Sequence, residues 1–291
     1  MDSWLDDVNM WRILLIILAF LAPSPAFSHT YEARVDESVW HLDPSPLQCR
    51  LWQSVPNYGD AVFEANAGQT LQFYMDLYRP ISRGGKAEMS VEAPEWRSGL
   101  VSRPIGTTDF KAGRRPIELA EEVANQMLAE LQVGMTPSFS HPGWFNEHPV
   151  TVGVSAVNFQ RAYRDYLSCV SGLYPANFEE LRQSRLLFGI NKVGINPEIQ
   201  QRLDLIAGYI NLDPSIKKIY IDGYADKPGR RGHNWELSRL RAAAVKTYLE
   251  EQGVMPELIV MNYHGEGRSS RRFQKEQYSA DDRRASIRLV R

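Results

Sequence analysis

The 291-residue chain has two cysteines, no apolar run of bilayer length and almost no net charge, and each shortage excludes something. Two cysteines exclude a disulfide-dense scaffold, an iron–sulfur protein and a four-cysteine zinc site. A formal charge of −2 and a pI near 6.3 exclude a uniformly basic nucleic-acid binder. Internal repeats, low-complexity tracts and glycine-rich nucleotide loops are missing, as are the HExxH and GxSxG patterns of zinc and serine hydrolases. His41, His141 and His148 follow no metal-ligand spacing, so neither a metal nor a cofactor is expected. The remaining composition is that of packed protein. Hydrophobic residues make up 43%, charged residues 23% and aromatics 11%, against disorder and, at this length, in keeping with two domains.

The longest apolar run, ILLIILAFLA over residues 13–22, falls short of the ~20 residues a spanning helix needs. Arg12 precedes it, and Pro23, Pro25 and Ala26-Phe27-Ser28 follow. This is the order of a cleaved export signal, residues 1–28, with the cut expected after Ser28. Met10 suits the start of such a signal better than Met1, because Asp2, Asp6 and Asp7 do not belong in a basic leader. No cysteine follows the cut closely enough for lipid attachment, and the run carries no acidic residue of the kind an ion-conducting helix would place in a membrane. Export would bring Cys49 and Cys169 into an oxidising space, where a pair is expected to close; the alternative is two separately buried thiols.

Beyond the leader the charge is unevenly divided. Residues 29–183 hold 13 Lys/Arg against 19 Asp/Glu, and residues 184–291 hold 19 against 13. Opposite signs suggest two domains with different partners. The first half reads as a mainly antiparallel β domain with two helices. Short alternating segments flank a Pro-Ser-Pro break in residues 38–53, and residues 70–79 alternate Leu71, Phe73, Met75 and Leu77 against Gln72, Tyr74, Asp76 and Tyr78. Strands are also expected at 87–93 and 150–157. Pro116 is placed to open a helix ending at Gly134, and a second helix over 158–173, with Asn158 as cap, carries Cys169. Aromatics in 138–150 offer either a protein-binding patch or ordinary packing.

From residue 184 strands and helices alternate in the order β/α/β/α/β-β, making the whole chain α+β. Strands are expected at 185–190, 217–222, 257–263 and 284–290. Helices are expected from Pro197, capped by Asn196, to about residue 211, and from about 235 to 252, capped by Asn234. On a wheel of the second helix at about 100° per residue, Leu237, Leu240, Ala244, Val245 and Tyr248 form an apolar arc that encloses Arg241. A cation there is costly unless paired. Asp226, in the loop that enters the helix, is the nearest candidate. Two readings stand side by side: a structural Arg241–Asp226 bridge, or a pocket for a zwitterion in which aspartate receives an ammonium and guanidinium a carboxylate.

The run GYADKPGRRGHNWELSRLRAAAVKTYLEEQGV, with NYHGEG and DDRRASI after it, resembles the OmpA-like peptidoglycan-binding domains, and the likeness covers residues 184–291. It implies a mixed sheet layered with helices. It also implies that Asp226 and Arg241 bind the diaminopimelate of a stem peptide, with Asn234, Leu237, Arg283 and Arg284 in support. Two positions depart from the pattern: Ala225 stands where threonine is usual and Asp282 where asparagine is usual. The segments LQCRLWQSVPNYGDAVF, APEWRSG, TPSFSHPGW and NFQRAYRDYLSCVSG resemble the amino-terminal domain of the MotY family of sodium-driven polar flagellar motors. That resemblance implies a Cys49–Cys169 disulfide, a periplasmic location and a first half, residues 29–183, that attaches to the flagellar basal body as part of a ring. It implies further that the second half holds peptidoglycan while the pair helps position stator proteins, without enzymatic activity or nucleic acid. The alternatives are a non-flagellar OmpA-family envelope protein, and a cell-wall hydrolase using Asp226 and Glu236 with His233 or His264. The basic positions Arg268, Arg271, Arg272 and Lys275 suit an acidic polymer or a solvated loop.

Overall fold

Alternation organises the first half. In the computed structural model, which describes residues 29–94, 99–143, 149–226, 230–266 and 280–291, β3 (Gln48–Val55) turns Cys49, Leu51, Gln53 and Val55 inward. It pairs antiparallel with β2 (Trp40–Pro44) across the Pro-Ser-Pro turn and with β4 (Gly59–Asn66). Then come β5 (Gln72–Leu77) and the two-residue β8 (Glu118–Leu119), completing a sheet in the order β2-β3-β4-β5-β8. The second sheet, β1-β10-β9-β6-β7, contains β1 (His29–Tyr31), β6 (Gly85–Glu92), β7 (Arg103–Phe110), β9 (Thr136–Pro142) and β10 (Pro149–Gly153). Only β1 with β10 is parallel in this half. The inner faces of both sheets and two helices, α1 (Glu121–Gln132) and α2 (Phe159–Ser171), share one core. Phe73 stacks on Phe139 with centroids 5.7 Å apart, and Trp40 meets Phe159 edge-on at 5.0 Å.

Some expectations give way here. Pro116 does not open α1. Ile117 and Leu119 are buried and Glu118 is exposed, a period of two, and the segment runs along β5 with Met75 donating its N–H to the Ile117 carbonyl at 3.0 Å. The helix starts at Glu121, without a side-chain cap. Asn158 occupies the cap position of α2 but is left-handed, φ 63°, and its amide donates to the Ser38 carbonyl. Tyr74, assigned to the outer face of its strand, is buried there beneath Arg115. Phe139 and His141 are packed inside, so they supply no exposed patch. Buried Gln53 is satisfied: its amide donates to Ser38 and to the Ser155 carbonyl and accepts from the Ser155 N–H.

The second half is β11 (Gln183–Leu187), α4 (Pro197–Leu212), β12 (Lys218–Ala225), α5 (Arg231–Glu251), β13 (Ile259–Glu266) and β14 (Arg284–Val290), after a one-turn α3 (Phe178–Leu181). The sheet order is β11-β14-β12-β13, with β12–β13 parallel and the other pairs antiparallel. It is the mixed sheet that the resemblance of residues 184–291 implies, and the chain as a whole is two-domain α+β. Asn196 caps α4, accepting from the Ile199 N–H at 2.8 Å. Both long helices cover one face of the sheet. Gly223 makes the close approach possible, since a Cβ there would strike the Ser238 carbonyl of α5.

The halves meet at the β2–β3 turn. The Tyr174 N–H donates to the Pro46 carbonyl at 2.8 Å, Leu47 packs against the second core, and the Asn177 amide donates to the Gly68 carbonyl at 2.9 Å. The Tyr174 hydroxyl reaches the Leu205 carbonyl of α4 at 2.9 Å. No helix among the described residues is long and apolar enough to cross a membrane. The leader read in residues 1–28, Trp96, residues 144–148 and the basic positions 268, 271, 272 and 275 lie outside the described residues.

Candidate functional site

The site forms where β12 ends against α5. That helix begins at Arg231, a turn earlier than its sequence suggested, so Asn234 lies inside it and is not its cap. Asn234 is buried, and its amide donates to Glu266 Oε1 at 3.3 Å. The apolar arc is also rotated. The buried face runs through Asn234, Leu237, Ser238, Arg241, Ala242, Val245 and Leu249, while Leu240 is 37% exposed. Small polar Ser238 misled the wheel. Its hydroxyl donates to the Trp235 carbonyl and accepts from the Gly265 N–H at 3.0 Å, which lets it face β13 at no polar cost.

Arg241 is 0% exposed, the largest fully buried side chain among the described residues. Its Nε donates to the Lys192 carbonyl at 3.0 Å, Nη1 to the Tyr224 carbonyl at 2.9 Å and Nη2 to the Gly189 carbonyl at 3.1 Å. Its guanidinium carbon also lies 5.4 Å from the centre of the Phe188 ring. One side chain on α5 thus holds the 189–192 turn against β12. A guanidinium has five N–H groups. Three are taken, leaving one on each Nη without an acceptor among the described residues. Burial pushes the Arg241 pKa down to about 10; the nearby Asp226 charge opposes that shift and Arg283 adds to it. The group stays protonated at neutral pH.

Asp226 is 7% exposed. The direct Arg241–Asp226 bridge considered from sequence does not form. Arg241 spends its donors on carbonyls, and the carboxylate is met instead by Arg283 Nη1 at 3.4 Å. Arg283 also donates from Nε to the Phe188 carbonyl at 3.3 Å. One aspartate and two arginines therefore converge at the end of β12, with one more positive than negative charge. Leu237 is buried at the helix face. Arg284 turns to the other side of the sheet, bonding the Asp281 carbonyl and Asp282 and stacking over Tyr224. Ala225 is buried beside the site, and Asp282 is the ion-pair partner of Arg284.

What sequence reasoning missed is the backbone: the carbonyls of Gly189, Lys192 and Tyr224. Side-chain motifs do not mark acceptors of this kind, although an arginine in an apolar arc demands several. The groups a hydrolase would need are dispersed. Glu236 pairs with Arg239 on the solvent side of α5, which lowers its pKa; His264 bonds Asp222, and His233 reaches Asn191. Among the described residues no cluster of His, Cys, Asp or Glu could hold a metal ion. In the first half Cys49 on β3 and Cys169 on α2 form a disulfide, with Cα atoms 6.0 Å apart.

Two family models match in succession: the MotY N-terminal domain over residues 31–175 and the OmpA family over residues 187–286. The sodium-type flagellar protein MotY of Vibrio parahaemolyticus is 26% identical over 269 residues, covering 90% of this chain and 91% of that protein. Outer membrane protein A of Yersinia pseudotuberculosis is 37% identical over 89 residues, which is 30% of this chain and 25% of that one. Among solved structures, the peptidoglycan-associated lipoprotein from Burkholderia pseudomallei is 24% identical, covers 36% of this chain and 89% of its own, and has a TM-score of 0.34. The chain joins a MotY N-terminal domain to a domain of the OmpA family.

Proposed function

We propose that the protein is a non-enzymatic periplasmic component of a flagellar motor, exported by cleavage after Ser28. Residues 184–291 hold peptidoglycan, and residues 29–183 attach to the basal body as part of a ring, helping to place stator proteins around the rotor. The observation that carries the wall-binding part is the convergence of Asp226, Arg241 and Arg283 at the end of β12. Asp226 receives the ammonium of diaminopimelate. The carboxylate of the same residue meets the two remaining N–H groups of Arg241, one on each Nη, with Arg283 alongside. Such a ligand brings one charge of each sign, and its carboxylate meets the excess positive charge of the trio. The flagellar part is supported by the MotY N-terminal domain and by the flagellar name of a relative aligned over 90% of this chain.

The deciding experiment is co-sedimentation with purified sacculi. Asp226→Asn keeps the shape of the side chain and removes the charge an ammonium needs, so bound protein is expected to fall about tenfold, on the order of 1.4 kcal/mol, at a temperature where circular dichroism shows the variant folded. Undiminished co-sedimentation rejects the pocket. A fluorescent fusion tests the flagellar part. A focus at the flagellar base that vanishes in cells lacking the basal body is expected, and a diffuse envelope signal in both strains rejects it.

A further inference from the structure

The sheet of the second half has a face that neither long helix covers. Pleating sends Arg185 of β11, Arg284 and Arg288 of β14, Tyr220 and Tyr224 of β12 and His264 of β13 to that side, opposite Ile219, Ile221, Ala285 and Ile287 in the core. Its centre is internally satisfied. His264 bonds Asp222 at 2.8 Å, the Asn262 amide bonds the same oxygen at 3.2 Å, and Tyr224 stacks on His264 with centroids 4.8 Å apart. Arg284 has Asp282.

The β11–β14 margin is different. Arg288 lies with its guanidinium carbon 4.1 Å from the centre of the Tyr220 ring, and Arg185 stands on the neighbouring strand. Both are exposed, and neither guanidinium has a hydrogen bond or an ion pair with any described residue. The register sets Gln183 opposite Arg288 and Arg185 opposite Ser286, so the two arginines are diagonal neighbours, with backbones about 7–8 Å apart. Like charges so placed repel, and nothing in the described chain relieves them. Stacking fixes the plane of Arg288 and leaves its N–H edge open, a prearranged fork for a carboxylate. An extended polypeptide places side chains i and i+2 on one side, about 6.5–7 Å apart. That spacing matches the arginine pair.

We propose that this face docks an extended acidic segment of a partner protein, with Asp or Glu at alternate positions, its carboxylates seated on Arg185 and Arg288. The excess of basic over acidic side chains in residues 184–291, 19 against 13, gives the complementary charge. The surface lies across the sheet from Arg241, so it is separate from the wall-binding pocket.

Fluorescence anisotropy of the purified protein with a labelled peptide of strictly alternating glutamate and threonine tests this. The control is a peptide of the same composition and charge in which all the glutamates precede all the threonines. Wild type is expected to bind the alternating peptide at least about tenfold more tightly than the Arg185→Gln/Arg288→Gln double variant, with affinity falling as salt rises. Arg288→Lys, which keeps the charge and loses the fork, is expected to fall between. Arg239→Gln, on the far helix, is expected to bind like wild type. Equal binding by the double variant with its unfolding midpoint unchanged, or equal binding of the two peptides, overturns the proposal. So does stronger binding of inorganic polyphosphate. If the double substitution instead disperses a concentration-dependent oligomer while the peptide fails to bind, the face is a contact between copies and the acidic-segment proposal falls.

Discussion

The two halves fasten their distant segments by different means. In the first, a covalent bond joins β3 to α2 across 120 positions of sequence. In the second, one arginine on α5 gathers carbonyls 17, 49 and 52 positions away. The first fastening answers to reductant and is indifferent to charge. The second is indifferent to reductant and depends on a cation, because three main-chain carbonyls would lose their donors if a side chain without N–H groups replaced it. A MotY N-terminal domain and an OmpA-family domain in one chain thus fail under different insults, and separate probes of each half should distinguish them.

The largest expected effect is on the first fastening. Replacing both Cys49 and Cys169 by serine releases a loop of 120 residues, for which chain entropy gives about 4–5 kcal/mol. Denaturant unfolding, followed by tryptophan fluorescence, should show the first half destabilised by that order while the helical signal of the second half keeps its midpoint. Equal loss in both halves would mean that they unfold as one unit. Next comes Arg241→Ala. With up to three carbonyls left bare, at about 1–3 kcal/mol each and with partial access of water, a loss of about 3–4 kcal/mol is expected in the second half alone. A loss below about 1 kcal/mol would show that the 189–192 turn holds without it.

The smallest effect sharpens the contrast by pH. His141 is buried in the first half, with Nδ1 toward the Pro142 carbonyl and Nε2 beside the Tyr58 hydroxyl, both at 2.9 Å, and the ring stacked on Phe110. Burial lowers its pKa below the ordinary histidine value near 6.5. The folded state therefore favours the neutral ring, and the unfolded chain takes up a proton first as pH falls. Stability from this group is complete above about pH 6.5 and declines below it, by at most about 1.4 kcal/mol per pH unit, until the folded ring also protonates. His141→Gln should flatten the slope between pH 7 and 5 relative to wild type; an unchanged slope assigns the acid sensitivity to carboxylates.

Legibility in the sequence followed how far each feature depends on neighbours. Strand β14 was readable to the residue because Ala285, Ile287 and Leu289 alternate against Ser286 and Arg288. The cap at Asn196 was equally plain. Strands β4, β7 and β9 were not legible: β4 is buried on both faces over Ala61–Phe63, so it lacks alternation, and β7 is an edge with little burial. The start of α1 failed because Pro116 fits a strand edge as well as a helix start, and only pairing with β5 decides between them. At the candidate site, the burial of a cation in an apolar arc and the nearness of Asp226 to it were legible. That Arg283 takes the carboxylate, and that Arg241 is consumed by main-chain oxygens, depended on how the 189–192 turn folds back over α5.

The seam between the halves has a mechanical consequence. Leu47 stands two positions from Cys49, and Tyr174, which grips Pro46 and α4, stands five positions from Cys169. Tension applied to the second half while the first is held fast would travel along residues 170–174 and reach the sulfur atoms almost at once. It would be shared between β3 and α2 rather than peeling α2 from its end. Such a pull would break first at hydrogen bonds on the far side of that joint, leaving the disulfide-bonded half intact.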